Sequence, residues 1–186
     1  MTVKEIVKHV ATYLGKGEVI EYLDKGITHD NNLTKNAVLV LTGCVNTVLS
    51  ELSQTYIPMV KEEKVKTING EIKYSDLQER IVKIISIKDD YGDDVNYKFS
   101  FDKIMPEKNQ VNIKYNYQPS NYGLDDVIGY SEVEVPLRIL SYGVCAEYLL
   151  IEGKFSESIT YHSKYMNALS DHIFPKNSKI KERSWF

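Results

Sequence analysis

The spacing of apolar residues divides the chain into a helical beginning, a middle with strand periodicity and a helical end. Over residues 1–57 apolar positions recur with the helical repeat, and over much of residues 58–117 the repeat changes to two. The helical repeat returns after Pro136 and continues to about residue 174. Helices on both sides of a β segment bury their apolar faces by packing on each other. We therefore predict a β domain inserted into a helical core.

Three helices are predicted before the β segment. Thr2 and Glu5 have the spacing of a capping box, and apolar residues follow at helical spacing until Gly15. A short second helix is predicted over residues 18–25, and the longest helix over about 32–53. The longest helix is apolar on more than one face, so we expect it to be buried on several sides.

Five strands are predicted, over residues 64–68, 71–74, 81–88, 95–101 and 111–117. Asn69-Gly70 separates the first two and is the strongest short signal for a hairpin. In the last two strands apolar and polar residues alternate strictly, which predicts an antiparallel sheet with one apolar and one solvent-exposed face. The residues expected in the core are Val95, Tyr97, Phe99, Phe101, Val111, Ile113, Tyr115 and Tyr117. Lys83, Lys98 and Lys114 are expected on the opposite, solvated face.

Two helices close the predicted fold. The first follows Pro136 and ends at Gly153. The second begins near Ser156, a predicted N-cap, with an expected buried stripe of Phe155, Ile159, His162, Met166, Leu169 and Ile173. The predicted class is therefore α+β, with a bundle core of about four helices. Its domains are residues 1–57 and 136–174 for the core, 58–135 for the inserted antiparallel β domain and 175–186 for a C-terminal arm.

Composition and charge exclude several classes of protein. The 186 residues are 42% hydrophobic and 26% charged, which is typical of a globular protein. Uninterrupted apolar runs are far shorter than the ~20 residues of a membrane span, and no secretory leader is evident, so we expect no membrane partner. Cys44 and Cys145 lie in apolar helical patterns and are expected to be free thiols. The net charge of −3 argues against bulk affinity for duplex nucleic acid.

The C-terminal arm differs in charge from the rest of the chain. The arm holds four basic residues and one acid, so its net charge is +3. Because the whole chain has a net charge of −3, the remaining residues carry −6. It ends in two large aromatic residues, which are typical anchors for a partner's pocket. Docking on a partner and a disordered terminus both remain open. The candidate partner-binding residues are Lys176, Lys179, Lys181, Arg183, Trp185 and Phe186.

No catalytic signature is present, and neither enzymatic activity nor a cofactor is predicted. Tyr91-Gly92-Asp93-Asp94 copies a local motif of template-dependent polymerases, but a metal site there requires a further carboxylate from a neighbouring strand. We predict instead a solvated hairpin loop, where Ca²⁺ would be a better guess than Mg²⁺ although the EF-hand spacing is absent. The four histidines lack the spacing of a metal site. A hydrolytic or metal-dependent enzyme built around this loop is the third alternative.

A single-stranded nucleic-acid binding module is the second alternative, because sheets that expose aromatic residues beside lysines stack and hold unpaired bases. The expected faces argue against it. The aromatic residues are predicted to be core and the lysines to face the other way, so the stacking surface and the charges would not coincide.

The closing helices resemble those of the head-to-tail adaptor, or connector, proteins of tailed bacteriophages. The resemblance lies mainly in residues 146–169, where one helix ends in a short acidic-glycine turn and the next begins with Phe155, with Tyr165 and Leu169 packed behind. The N-terminal helix, the long third helix and the Asn69-Gly70 hairpin agree in layout. The β region is larger than in the smallest adaptors.

This resemblance implies a structural virion protein at the head-tail junction, assembled in the host cytoplasm. Such adaptors form an oligomeric ring, commonly twelvefold, between the portal protein and the tail or nozzle proteins. The genome DNA passes through the lumen of the ring without sequence-specific binding. An acidic protein is compatible with this role, because negative charge repels DNA weakly and lets it slide. The basic arm resembles the terminal extensions by which adaptors grip a neighbour. The resemblance implies no catalytic residue.

Overall fold

A computed structural model describes residues 1–25 and 32–174. Within these residues the protein is mixed α+β, with five α-helices and two small antiparallel sheets. The helices are α1 (Val3–Tyr13), α2 (Gly17–Lys25), α3 (Asn32–Glu51), α4 (Leu137–Ile151) and α5 (Phe155–Ile173). The strands are β1 (Met59–Lys66), β2 (Ile72–Lys73), β3 (Arg80–Lys88), β4 (Tyr97–Phe99), β5 (Lys103–Pro106) and β6 (Gln110–Gln118).

The chain divides into two compact units. Met1–Val45 and Ser131–Phe186 form the helical unit, and Asn46–Tyr130 forms the sheet unit. The predicted boundaries lay at residues 57/58 and 135/136. The sheet unit begins earlier because Asn46, on α3, exchanges two hydrogen bonds of 3.0 and 2.8 Å with the backbone of Tyr122. One turn later, Ser50 Oγ accepts a hydrogen bond of 2.9 Å from the side chain of Gln118.

In the helical unit, α1 begins as its sequence predicts. Thr2 and Glu5 form both hydrogen bonds of the capping box, and Val3, Ile6 and Val10 are fully buried. Helix α1 packs on α2 and α4, and the rings of Tyr13 and Tyr142 stack with centroids 5.6 Å apart. Helix α4 is buried on most sides, with Leu140, Val144 and Cys145 wholly inaccessible, and it packs along α5.

The buried face of α5 differs from the predicted stripe. Ser158, Tyr165 and Leu169 are buried, whereas Phe155 and Ile159 are 63% and 67% exposed and His162 is exposed. The helix begins at Phe155 with Lys154 at the N-cap position, so the predicted cap at Ser156 is wrong; the Ser156 carbonyl instead accepts from Thr160. Apolar residues lie on two faces of α5, and helical spacing alone does not decide which one α4 covers.

Helix α3 and the single π-helical turn that follows it, Leu52–Tyr56, form the longest helical stretch. By length and composition alone Asn32–Tyr56 could cross a membrane, since the mean hydropathy of its most apolar 18-residue stretch is 1.2. Of that stretch 44% is buried inside the protein, and a core helix of this length meets the same criteria. The exposed apolar residues of α3 include Leu33 and Leu39.

The sheet unit contains one sheet of order β1-β6-β3 and another of order β2-β5-β4, both antiparallel. Strand β6 is central, and its Val111, Ile113 and Tyr115 are fully buried, as predicted. The cluster they belong to also contains Ile72, Leu77, Ile87, Val95 and Ile104. This core therefore draws side chains from strands of both sheets.

The predicted turn at Asn69-Gly70 is present. Both residues have positive φ, 55° and 78°, as a two-residue hairpin turn of type I′ requires. Ile68 and Glu71 pair across it, but the hairpin extends no further, because β1 continues along β6 whereas β2 pairs with β5. The turn is therefore the point at which the chain passes from one sheet to the other.

For the strand predicted over residues 95–101, the expected burial is wrong at three of the four aromatic and apolar positions. Val95 is buried, but Tyr97, Phe99 and Phe101 are 39%, 75% and 100% exposed. Strand β4 has only three residues and lies at the edge of its sheet, next to β5. Alternation predicts that one face of a strand is apolar; it does not predict that another element covers that face.

Because Ile113 is buried and Phe99 is exposed, replacing each by alanine is expected to affect stability very differently. Ile113→Ala empties a fully buried site and is expected to lower the free energy of unfolding by about 2–5 kcal/mol. Phe99→Ala changes an exposed side chain and is expected to alter the free energy of unfolding by less than about 0.5 kcal/mol. Urea unfolding of both variants measures the difference. A loss at Phe99 as large as that at Ile113 would contradict the exposed position of β4.

Candidate binding groove

An exposed apolar groove of about 610 Å³ lies between β3 and β4 of the sheet unit, and we call it the aromatic groove. Such a volume falls within the range of ligand pockets. Seven of its lining residues are aliphatic or aromatic and the eighth is a lysine: Tyr74, Ile81, Val82, Lys83, Ile84, Tyr97, Phe99 and Phe101.

Two irregularities of β3 form one wall of the groove. The register of β3 against β6 slips between Ile81 and Lys83 and again between Ile84 and Ser86, leaving Val82 and Ile85 as extra residues. Each is 48% exposed, because a bulge turns its extra residue out of the regular alternation. Ile81 and Ile84 remain partly buried against the core. The bulges thus bring an apolar surface to the outside of an edge strand.

A hydrogen-bonded turn forms the opposite wall. Between β4 and β5, the Ser100 N–H donates to the Lys103 carbonyl over 2.8 Å, and Phe101 projects from this turn. The Tyr74 N–H donates to the Asp102 carbonyl over 2.9 Å, and an ion pair of 2.7 Å joins Lys103 to Glu71. The exposed rings are therefore carried by a turn with several backbone and side-chain contacts.

Positive charge accompanies the aromatic rings. In the part of the chain that the structure describes, Lys83 is the only charged residue that lines the groove. Arg80 lines a neighbouring depression that shares Tyr74 and Ile81 with the groove. The acid in that depression, Glu79, is already paired with Lys61 at 3.4 Å. The expectation that lysines and aromatic rings lie on opposite faces is therefore wrong for Lys83.

The acidic loop after β3 is held by its own backbone. Asp89 Oδ1 accepts hydrogen bonds of 2.9 and 3.0 Å from the N–H groups of Tyr91 and Asp93, and Lys108 lies 3.6 Å from Oδ2. Desolvation opposes ionisation, but these N–H groups and Lys108 outweigh it and hold the pKa of Asp89 below its ordinary value. Within residues 1–25 and 32–174, no group of three or more His, Cys, Asp or Glu side chains could hold a metal ion.

The helical unit places potential nucleophiles in buried positions. Ser141 Oγ lies 2.8 Å from His9 Nδ1, but this hydroxyl is wholly inaccessible and donates to the Leu137 carbonyl. The Ser141 hydroxyl thus has two partners inside the protein and is not accessible to a substrate. Cys44 and Cys145 are buried free thiols, as predicted, and burial raises their pKa values to about 11 and about 12. Thiolate chemistry is unfavourable at both.

The six candidate residues of the C-terminal arm, Lys176, Lys179, Lys181, Arg183, Trp185 and Phe186, lie outside the described residues. The aromatic groove was missed because Tyr97, Phe99 and Phe101 were assigned to the core. One local signal could have indicated exposure. Ser100 and Asp102 interrupt the apolar residues beside a short strand, and such residues are typical of a turn.

Comparison with known proteins does not assign this chain to a family. No family model matches the sequence, and no curated protein is significantly similar to it. The function must therefore be argued from the surfaces of the two units.

The contacts of Asp89 predict a loss of stability in acid. A carboxyl group whose pKa is lower in the folded than in the unfolded protein stabilises the fold above its unfolded pKa of about 4, and that contribution disappears as the pH falls through the lower folded value. The urea midpoint of the wild type should therefore fall between about pH 5 and pH 2. Asp89→Asn should flatten part of this dependence, whereas the exposed control Asp125→Asn should not. Identical profiles for both variants would contradict the role of Asp89.

Proposed function

We propose that this protein is a structural virion component, a head-to-tail adaptor that forms a ring between the portal and the tail. The observation that carries the proposal is the exposed apolar surface at the turn between α4 and α5. Leu150, Ile151, Phe155 and Ile159 are 49–67% exposed there. Contiguous exposed apolar surface is typical of interaction sites.

The position of this surface supports the proposal further. It lies within residues 146–169, the segment that carries the resemblance to the adaptors. Tyr165 and Leu169 are each 1% exposed, so the helix packs through one face and presents Phe155 and Ile159 on another. We infer that the helices form a bundle core of about four, and that the outer face of α5 contacts a neighbouring protomer in the ring.

The remaining features of the proposal are consistent with assembly without catalysis. The buried hydroxyl and thiols of the helical unit are unsuited to nucleophilic chemistry. The net charge of −3 suits a conduit through which DNA slides without sequence-specific binding. The partners we propose are further copies of this chain, commonly twelve in adaptors, the portal protein and the tail or nozzle proteins. Its place is the head-tail junction of the virion, after assembly in the host cytoplasm, and no membrane or cofactor takes part.

Assembly on a portal tests the proposal. Native mass spectrometry of the purified protein should detect monomers or weak oligomers alone, and a closed ring when the portal protein of the same phage is added, since the template supplies the interface. Phe155→Glu and Ile159→Glu place a charge in the proposed contact and should weaken ring formation by roughly 30-fold or more.

The matched control is Asn167→Glu, which adds the same charge at an exposed polar position of α5. It should form rings as the wild type does. A protein that stays monomeric with every portal and tail component would contradict the proposed function. Equal effects of all three substitutions would assign the contact to another surface.

The C-terminal arm supplies a second test. A chain ending at Pro175 lacks the basic residues and both terminal aromatics, so its incorporation into connector complexes should weaken at least ~30-fold. Its melting temperature should be unchanged if the arm contacts only a neighbour. High salt should weaken the basic contacts and spare the aromatic ones. Equal incorporation of both chains would show that the arm is passive, and a lower melting temperature would show that it packs on its own protomer.

A further inference from the structure

We infer that the aromatic groove binds single-stranded nucleic acid, with bases stacked on Tyr97, Phe99 and Phe101 and the sugar-phosphate backbone beside Lys83 and Arg80. This activity is separate from ring assembly, which we assign to the helical unit.

The exposure of the rings is the first observation that carries the inference. Phe99 and Phe101 are 75% and 100% exposed, and Tyr97 is 39% exposed. Tyr97 and Phe99 lie on the same side of β4, with Cα atoms about 7 Å apart, twice the rise of an extended residue, and Phe101 follows on the turn. Unpaired bases stack on such rings whatever their sequence, because every base has a π face. The segment therefore offers up to three successive stacking positions.

The charge of the groove is the second observation, and it decides between partners. Among residues 1–25 and 32–174, Lys83 is the only charged lining residue, and no acid lines the groove. Neither Lys83 nor Arg80 takes part in an ion pair among the described residues. A polyanion is therefore attracted. The C-terminal arm, with its net charge of +3, would bring like charge to Lys83.

The geometry also favours single strands over a duplex. The rings are reached only by bases whose faces are open, and in a duplex those faces are covered by the neighbouring base pairs. Two cations contribute little electrostatic affinity, and the chain as a whole is acidic. Stacking must therefore supply much of the binding, and affinity should depend weakly on salt.

Fluorescence anisotropy with labelled dT20, rU20 and a 20-base-pair duplex tests the inference on the full chain. The wild type should bind both single strands and should bind the duplex at least tenfold more weakly. Phe99→Ala and Phe101→Ala should each weaken binding by roughly 5- to 150-fold, the effect of removing one stacked base. For about two neutralised phosphates, the slope of log affinity against log salt should be about −1.4, and Lys83→Gln should reduce its magnitude by about 0.7.

Two matched controls separate the groove from the general surface. Tyr91→Ala removes an aromatic side chain that is 92% exposed in the acidic loop, and Lys154→Gln removes an exposed lysine of the helical unit. Both variants should bind as the wild type does. The side chains changed in these variants are all exposed, and thermal melting checks that each variant is folded.

Three outcomes would overturn the inference: no binding of either single strand at 100 µM protein, equal binding of the duplex, or equal losses for Tyr91→Ala and Phe99→Ala. A fourth concerns a different occupant. A peptide of residues 176–186 is added to a chain that ends at Pro175. If the peptide binds, if Phe99→Ala abolishes this binding and if the peptide displaces no oligonucleotide, the groove is a docking site for the arm. If binding to single strands depends on Phe99 and persists in a chain ending at Pro175, the groove itself binds nucleic acid.

Discussion

The sheet unit depends on the burial of one strand, β6. It pairs with β1 on one side and β3 on the other, and its Val111, Ile113 and Tyr115 are fully buried. The Tyr115 hydroxyl donates a hydrogen bond of 2.5 Å to Glu63 on β1, whose carboxylate also accepts from the Gln78 N–H over 3.2 Å. Burial and then this hydrogen bond raise the pKa of Tyr115 well above its usual value, so the phenol stays a donor. The Glu63 side chain thus connects β1, β6 and the segment before β3.

A core centred on β6 leaves apolar side chains uncovered at its margins. Strand β4 is short and lies at an edge, and β3 slips twice against β6, so aromatic and aliphatic residues of both strands face outward. Several hydrogen bonds and an ion pair hold the turn that carries Phe101. An exposed aromatic surface on a well-connected turn contributes little to folding stability, and exposed apolar surface of this kind is typical of interaction sites.

The helical unit follows the same physical rule. Helix α4 is enclosed by its neighbours, whereas α5 has apolar residues on two faces and α4 covers only one of them. The exposed face at the α4–α5 turn is the basis of the proposed ring contact. Each unit therefore presents its own exposed apolar surface, and the ring contact and the nucleic-acid contact that we propose use different ones.

The sequence by itself determined the local elements, because these depend on short-range spacing. The Thr2–Glu5 capping box, the Asn69-Gly70 turn, the buried face of β6 and the α+β class follow from residues a few positions apart. Only the tertiary structure decided which apolar faces are covered. Phe99 and Ile113 occupy the same phase of similar alternating segments, yet one is at an edge and the other in the central strand. Alternation is a property of one strand, whereas burial requires a second element to lie against it.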